Sequence, residues 1–146
     1  MSLCRLMYKS KYSEPLSKNL LEAIETTSQE NNAALGITGI LIGNRSSFMQ
    51  VLEGEEEAVN KIFNNICKDE RHTKIELVGY DIIDQRAFAD WSMKCIAFGL
   101  LGRILAQRLK RKYGEENDDL KLPSDSHEAF ALLYDLAFLL RQDEIA

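Results

Sequence analysis

The stretch GITGILIGNRSSFMQVLEG, residues 36–54, decides the fold. Residues 36–43 form a short apolar run between glycines, 44–47 carry the Asn-Arg-Ser-Ser chemistry of a turn, and 48–53 return with Phe48, Gln50 and Leu52 on one face. This spacing predicts an antiparallel hairpin. On its N-terminal side, residues 3–10 alternate, Cys4, Leu6 and Tyr8 against Arg5, Met7 and Lys9, so a half-buried strand is expected with Tyr8 on its more apolar face. Pro15 and a Ser17 N-cap open a helix reaching about Ala33, with Leu16 and Leu21 placed as a hydrophobic staple around the cap. On the C-terminal side, Glu55, Glu56 and Glu57 crowd a helix start, where the dipole favours negative charge, and Val59, Ile62, Phe63 and Ile66 give that helix its apolar stripe as far as Lys68. Residues 75–83 and 92–98 read as two further strands, joined by a turn or short helical piece carrying Phe88, Asp90 and Trp91. The order predicts an α+β fold, a ferredoxin-like βαββαββ sandwich with both helices on one sheet face.

Beyond residue 98 the pattern changes. Leu101, Ile104, Leu105 and Leu109 mark a third helix, basic in its last turns and stopped by Gly114. Residues 115–125 read as an acidic, proline-containing linker, and Asp125 with Glu128 forms an N-cap pair for a fourth helix. Between 129 and 140 only Asp135 is polar, so this helix needs cover on more than one side, from the sheet or from a second subunit. The chain therefore divides into residues 1–98 and a two-helix extension, 99–146.

The 146 residues, 45% hydrophobic and 28% charged, fit one globular unit. With 18 basic and 23 acidic side chains the net charge is −5, which disfavours nucleic acid as a partner, and Arg108, Lys110, Arg111 and Lys112 read as a dipole-complementing helix end. No apolar stretch approaches the ~20 residues of a bilayer span, and the N-terminus lacks a secretory apolar core. No membrane partner and a cytoplasmic location are expected. Cys4, Cys67 and Cys95 are widely separated and the histidines are only His72 and His127, so neither a disulfide framework nor a metal site is expected.

The first helix carries an anomaly. At helical spacing Ile24, Ser28, Asn31 and Asn32 continue the stripe begun by Leu20, so polar groups occupy half of the face turned to the core. A buried carboxamide without partners costs on the order of 1–3 kcal/mol, so these side chains need backbone, water or a ligand. Gln50 and Tyr8 pose the same question on their strands. Three carboxamides, from Asn31, Asn32 and Gln50, could read the alternating C=O and N–H edge of a flat heterocycle lying between helices and sheet, although Asn31 and Asn32 could equally cap the helix end.

Taken together, Tyr8, Asn31-Asn32, Gly36-Ile37-Thr38-Gly39, the run from Phe48 to Gly54, Asp69-Glu70-Arg71-His72 and Trp91-Ser92-Met93 resemble the BLUF family of flavin-binding blue-light sensors over about residues 2–98. The last two helices resemble the extension of its short, stand-alone members, which makes 1–98 a flavin-binding sensor domain and 99–146 an element for signal output or oligomerisation. The resemblance implies that Asn31 and Asn32 bond the polar edge of the isoalloxazine, that Gln50 sits beside its reactive edge with Tyr8 behind it, and that Ile24 and Ser28 wall the ring. Asp69, Arg71 and His72 would lie towards the ribityl and phosphate end. Asn65 stands where some relatives carry a basic residue, so FMN or riboflavin could bind as well as FAD. By the same resemblance, light drives an electron and a proton from Tyr8 through Gln50. The flavin ends oxidised, Gln50 rotated or tautomerised, and the absorption shifted to the red. Trp91 and Met93 are the expected relay pair near Gln50. No catalysis is implied: the chain would be a sensor, assembled as a homo-oligomer and signalling to a separate protein partner. The alternative is a colourless small-ligand regulatory module of the same architecture. An acylphosphatase-like hydrolase would need an arginine beside a phosphate-cradling loop, which residues 36–39 lack.

Overall fold

The computed structural model describes residues 2–14 and 16–142. Pro15, expected at the start of the first helix, lies outside the described residues, as do Met1 and residues 143–146. The elements are β1 (Leu3–Tyr12), α1 (Lys18–Leu35), β2 (Thr38–Gly43), β3 (Ser47–Glu55), α2 (Glu56–Lys68), β4 (His72–Ile83), β5 (Lys94–Ala97), a 3-10 turn (Phe98–Leu100), α3 (Arg103–Tyr113), β6 (Glu115–Glu116), β7 (Asp119–Leu120) and α4 (Ser126–Arg141).

Local chemistry sets these boundaries. Ser17 accepts from Leu20 N at 3.1 Å and opens α1, while Gly36 closes it in the left-handed region at φ 68°. Asn44 Oδ1 accepts from the amides of Ser46 and Ser47, which tightens the β2–β3 turn. Glu56 and Glu57 occupy the first turn of α2, and Asp125 accepts from Glu128 N to open α4. Gly39 lets β2 approach closely, since a Cβ there would lie 1.9 Å from Val51 O.

The main sheet has the order β4-β1-β3-β2-β5, antiparallel except for the parallel β2–β5 pair. This is the ferredoxin-like arrangement, with a fifth strand added beside β2. In β1 and β3, Tyr8 pairs with Gln50, so both side chains project to the same face. Cys4, Leu6, Leu41, Phe48 and Leu52 share that face, packed beneath α1 and α2. The opposite face carries Met7, Ile40, Ile42, Met49 and Val51, covered by Leu132, Leu133 and Leu136 of α4 and by Leu109 of α3.

Several boundaries differ from the sequence reading; the fourth strand, expected from residue 75, already begins at His72. The first strand runs on through Tyr12 rather than stopping at Ser10. The last strand is shorter than 92–98, because Phe98 begins the 3-10 turn and Ser92 and Met93 are held by α1. The segment 115–125 is not plain linker: β6 and β7 form a small hairpin around Asn117 and Asp118, both at positive φ, 54° and 60°. For α4, the sheet supplies most of the cover, while Tyr134 and Phe138 remain 47% and 54% exposed.

Candidate functional site

Between α1, α2 and the sheet lies a cavity of ≈ 290 Å³. Helix α1 contributes Ile24, Ser28, Asn31 and Asn32, while Tyr8 and Gln50 come from the central strands. The turn from α2 into β4 brings Asp69, Arg71 and His72 to the far end. Every ring- and tail-binding residue expected from the sequence therefore borders one space, with Asn31 at its exposed rim and Asn32 buried.

The Tyr8 hydroxyl donates to Gln50 Oε1 at 2.5 Å, and Gln50 Nε2 donates to Met93 Sδ at 3.3 Å. A thioether can only accept, so this amide orientation gives both ends of Gln50 a partner. Burial pushes the Tyr8 phenol well above its ordinary pKa, so it stays protonated at neutral pH and its proton lies on the line to Gln50. Asn32 Nδ2 donates to Ser92 O at 3.0 Å, which leaves its oxygen as the group able to accept from a ligand.

At the other end the charges cancel. Arg71 donates from Nε and Nη2 to Asp69 and holds the Asp69 carboxyl down to about 2. His72 Nδ1 lies 3.2 Å from Ser10 Oγ, and burial lowers its pKa, favouring the neutral ring. Asn65 lines the same space and brings no charge.

Tyr12 was not anticipated. It lines the cavity against Phe48 and His72, is 7% exposed, and its hydroxyl has no hydrogen-bond partner among the described residues. Its alternation with Tyr8 and Ser10 along β1 was the available signal. Two phenols thus border the cavity, and among the described residues only Tyr8 has a hydrogen-bond acceptor.

The expected relay pair separates. Met93 touches Gln50, whereas Trp91 does not border the cavity and packs on the opposite side of the sheet, under Arg141. Two further side chains of α1 hold the same segment: Gln29 donates to Met93 O at 2.9 Å, and Glu25 accepts from Cys95 N at 2.7 Å.

These residues fit a flavin ring. Amides meet a phenol at one end, Leu20, Ile24 and Ile62 give apolar walls, and the volume lies at the small end of ligand cavities. Among the described residues no cluster of His, Cys, Asp or Glu could hold a metal, and no helix is long and apolar enough to cross a membrane.

The model of the BLUF family, described as sensors of blue light using FAD, matches residues 3–94. Over 93 residues the chain is 37% identical to photoactivated adenylate cyclase subunit beta of Euglena longa, covering 63% of this chain and 11% of that protein. Over 94 residues it is 36% identical to the blue light- and temperature-regulated antirepressor BluF of Escherichia coli K12, covering 63% of this chain and 23% of that one. The chain thus spans about a tenth of the cyclase subunit and under a quarter of the antirepressor. Among solved structures, the dark state of BlrB, a BLUF protein, aligns at a TM-score of 0.72 and 31% identity, over 94% of this chain and 96% of that one. BlsA in its photo-activated state aligns at 0.75 and 30%, over 92% and 94%.

Proposed function

Because the chain belongs to the BLUF family of flavin-binding blue-light sensors, we propose that it works as a photoreceptor in which Tyr8 and Gln50 convert absorption into a rearranged hydrogen-bond network. The observation that carries this reading is the continuous chain from Tyr8 through Gln50 to Met93 along the wall of a ring-sized cavity.

Flavin, when bound, supplies the blue-light absorption and, once excited, an acceptor for one electron. Everything else belongs to the polypeptide. Asn31 and Asn32 would hold the polar edge of the ring, with Ile24 and Ser28 against its face. Tyr8 gives up an electron and passes its proton towards Gln50 Oε1 along the existing hydrogen bond. Return of that electron and a proton to Tyr8 leaves no net oxidation, with Gln50 holding its donor and acceptor exchanged, by rotation or by tautomerism, so that its contacts with Tyr8 and Met93 can no longer both be kept. No substrate is turned over.

FAD is the flavin we propose for this cavity, in line with the family's description as sensors of blue light using FAD. Among the described residues lining the tail end, Asp69 neutralises Arg71 and burial favours the neutral form of His72, so nothing there demands the longer FAD tail and FMN and riboflavin also suit it. Residues 1–98 would be the sensor and 99–146 the output element. The exposed Tyr134 and Phe138 on α4 would form a homo-oligomer contact, and a separate protein would receive the signal. The three free thiols fit a reducing, cytoplasmic setting.

A light-minus-dark absorption spectrum of the purified full chain tests the proposal. The expected result is a yellow protein whose flavin band moves slightly to the red under blue light and returns in the dark. A chain that retains no flavin after reconstitution, or whose band does not move, overturns it.

A further inference from the structure

Arg141, the last residue of α4, is gripped by the segment that leads into β5. Its Nε donates to Asp90 Oδ2 and its Nη2 to Asp90 Oδ1, both at 3.0 Å, and Nη2 also donates to Ala87 O at 2.8 Å. Its guanidinium carbon stands 5.5 Å from the centre of the Trp91 ring. On the sheet side, the Glu53 carboxylate accepts from Ala87 N at 3.1 Å and Phe88 N at 2.8 Å. Residues 87–91 are therefore held between β3 and the end of α4, and two residues further on Met93 meets Gln50. A two-pronged arginine–carboxylate contact fixes orientation as well as distance. With side chains 32% and 41% exposed, the same pair adds little to global stability. Such a contact places the segment more than it holds the protein together.

We propose that Arg141 is a positioning residue for the photoresponse: through Asp90, Ala87 and Trp91 it holds residues 87–93 so that the Met93 sulfur stays against Gln50 in the dark. The inference rests on the sensor reading above and adds a residue, Arg141, that lies outside the family-matched region, residues 3–94. It makes the end of α4 and the cavity two ends of one mechanical link, so whatever loosens the Met93 contact also loosens the seat of α4. After illumination, re-forming the clasp draws Met93 back and speeds the return.

Trp91 is the chain's only tryptophan, so its fluorescence reports on the clasp directly. The flavin-loaded full chain is compared with Arg141→Ala and with the charge-exchanged pair Asp90→Arg/Arg141→Asp. Arg141→Ala is expected to keep its flavin and its unfolding midpoint, to shift Trp91 emission to longer wavelength in the dark, and to slow the dark return of the flavin band by about two- to fivefold. The exchanged pair re-makes the ion pair but not the contacts with Ala87 and Trp91, so it is expected to recover only part of the return rate. A purely structural contact would move the unfolding midpoint and leave the rate alone. Unchanged emission and unchanged return in Arg141→Ala overturn the proposal. Should Arg141→Ala not fold, Arg141→Lys, which keeps the charge but loses the fork, takes its place with the same expected directions. If the unaltered protein shows no light-induced shift, the sensor reading falls, and dark Trp91 emission with amide exchange over residues 87–93 still decides the clasp.

Discussion

Tyr8 and Tyr12 sit four residues apart on one strand and border the same cavity, yet they have opposite relations to their surroundings. Tyr8 has an acceptor and Tyr12 has none among the described residues. Tyr8→Phe should therefore retain flavin and lose the reversible red shift, as read by light-minus-dark spectroscopy. Tyr12→Phe should keep the shift and stabilise the flavin-free protein by about 1 kcal/mol, because it deletes a buried donor that makes no bond; urea unfolding measures this, and a loss of stability would show that the hydroxyl is satisfied. His72 titrates with a definite sign. Its folded pKa lies below the ordinary value near 6.5, chiefly through burial, so the unfolded chain binds the proton more readily. Its contribution is complete above the unfolded value and is lost as pH falls below it towards the folded one. The melting temperature should drop on acidification through that window, and His72→Gln should flatten the drop. At this scale Asn32 and Gln50 were legible in the sequence because a carboxamide in an apolar stripe is an anomaly. Tyr12 was not, because an aromatic residue at a strand end looks like ordinary core, and the strand was read as ending two residues early.

At the scale of elements, the sheet side of the loop between β4 and β5 is organised by one carboxylate. Glu53 has no exposure, accepts from Arg5 Nε at 2.7 Å, and caps the amides of Ala87 and Phe88. Arg5 in turn lies 4.6 Å from the centre of the Phe130 ring of α4. Glu53→Ala leaves a guanidinium and two amides without their acceptor, and should lower stability by about 3–5 kcal/mol in chemical denaturation, far more than removal of a surface pair such as Lys18–Glu22. A change below about 1 kcal/mol would mean that water replaces the carboxylate. On the other side, Glu25, Gln29 and Asn32 grip the backbone of Cys95, Met93 and Ser92 from α1. The segment 92–95 is thus tied to the helix that lines the cavity as well as to β2. The hairpin, both crossover helices and the strand order were legible because their periodicity and caps are local. The small β6–β7 hairpin was passed over although Asn117-Asp118 is good turn chemistry, because two-residue strands carry no periodicity.

For the whole molecule, what matters is that the sheet has two apolar faces and the helices of the family-matched region cover one. Residues 3–94 bring α1 and α2, which seal the face of Tyr8 and Leu52. The other face, with Met7, Ile40, Ile42, Met49 and Val51 all but fully buried, is closed by α3 and α4. Each such side chain gains roughly 1.5–3 kcal/mol from leaving water, so removing the cover from these five forfeits an amount comparable to the 5–15 kcal/mol that typically separates a folded domain from its unfolded state. A fragment ending at Phe98 should therefore not persist as a folded monomer. It should aggregate or associate through this face, while the full chain stays dispersed; size-resolved light scattering of both at equal concentration distinguishes the outcomes. A monodisperse, monomeric fragment would show that the sensor part closes its own sheet. The same coverage explains how a rearrangement beside Gln50 can reach the outside. The face opposite the cavity is the seat of α4, so strands that shift on one side must be accommodated by the helix on the other, in an interior too closely packed to absorb the movement.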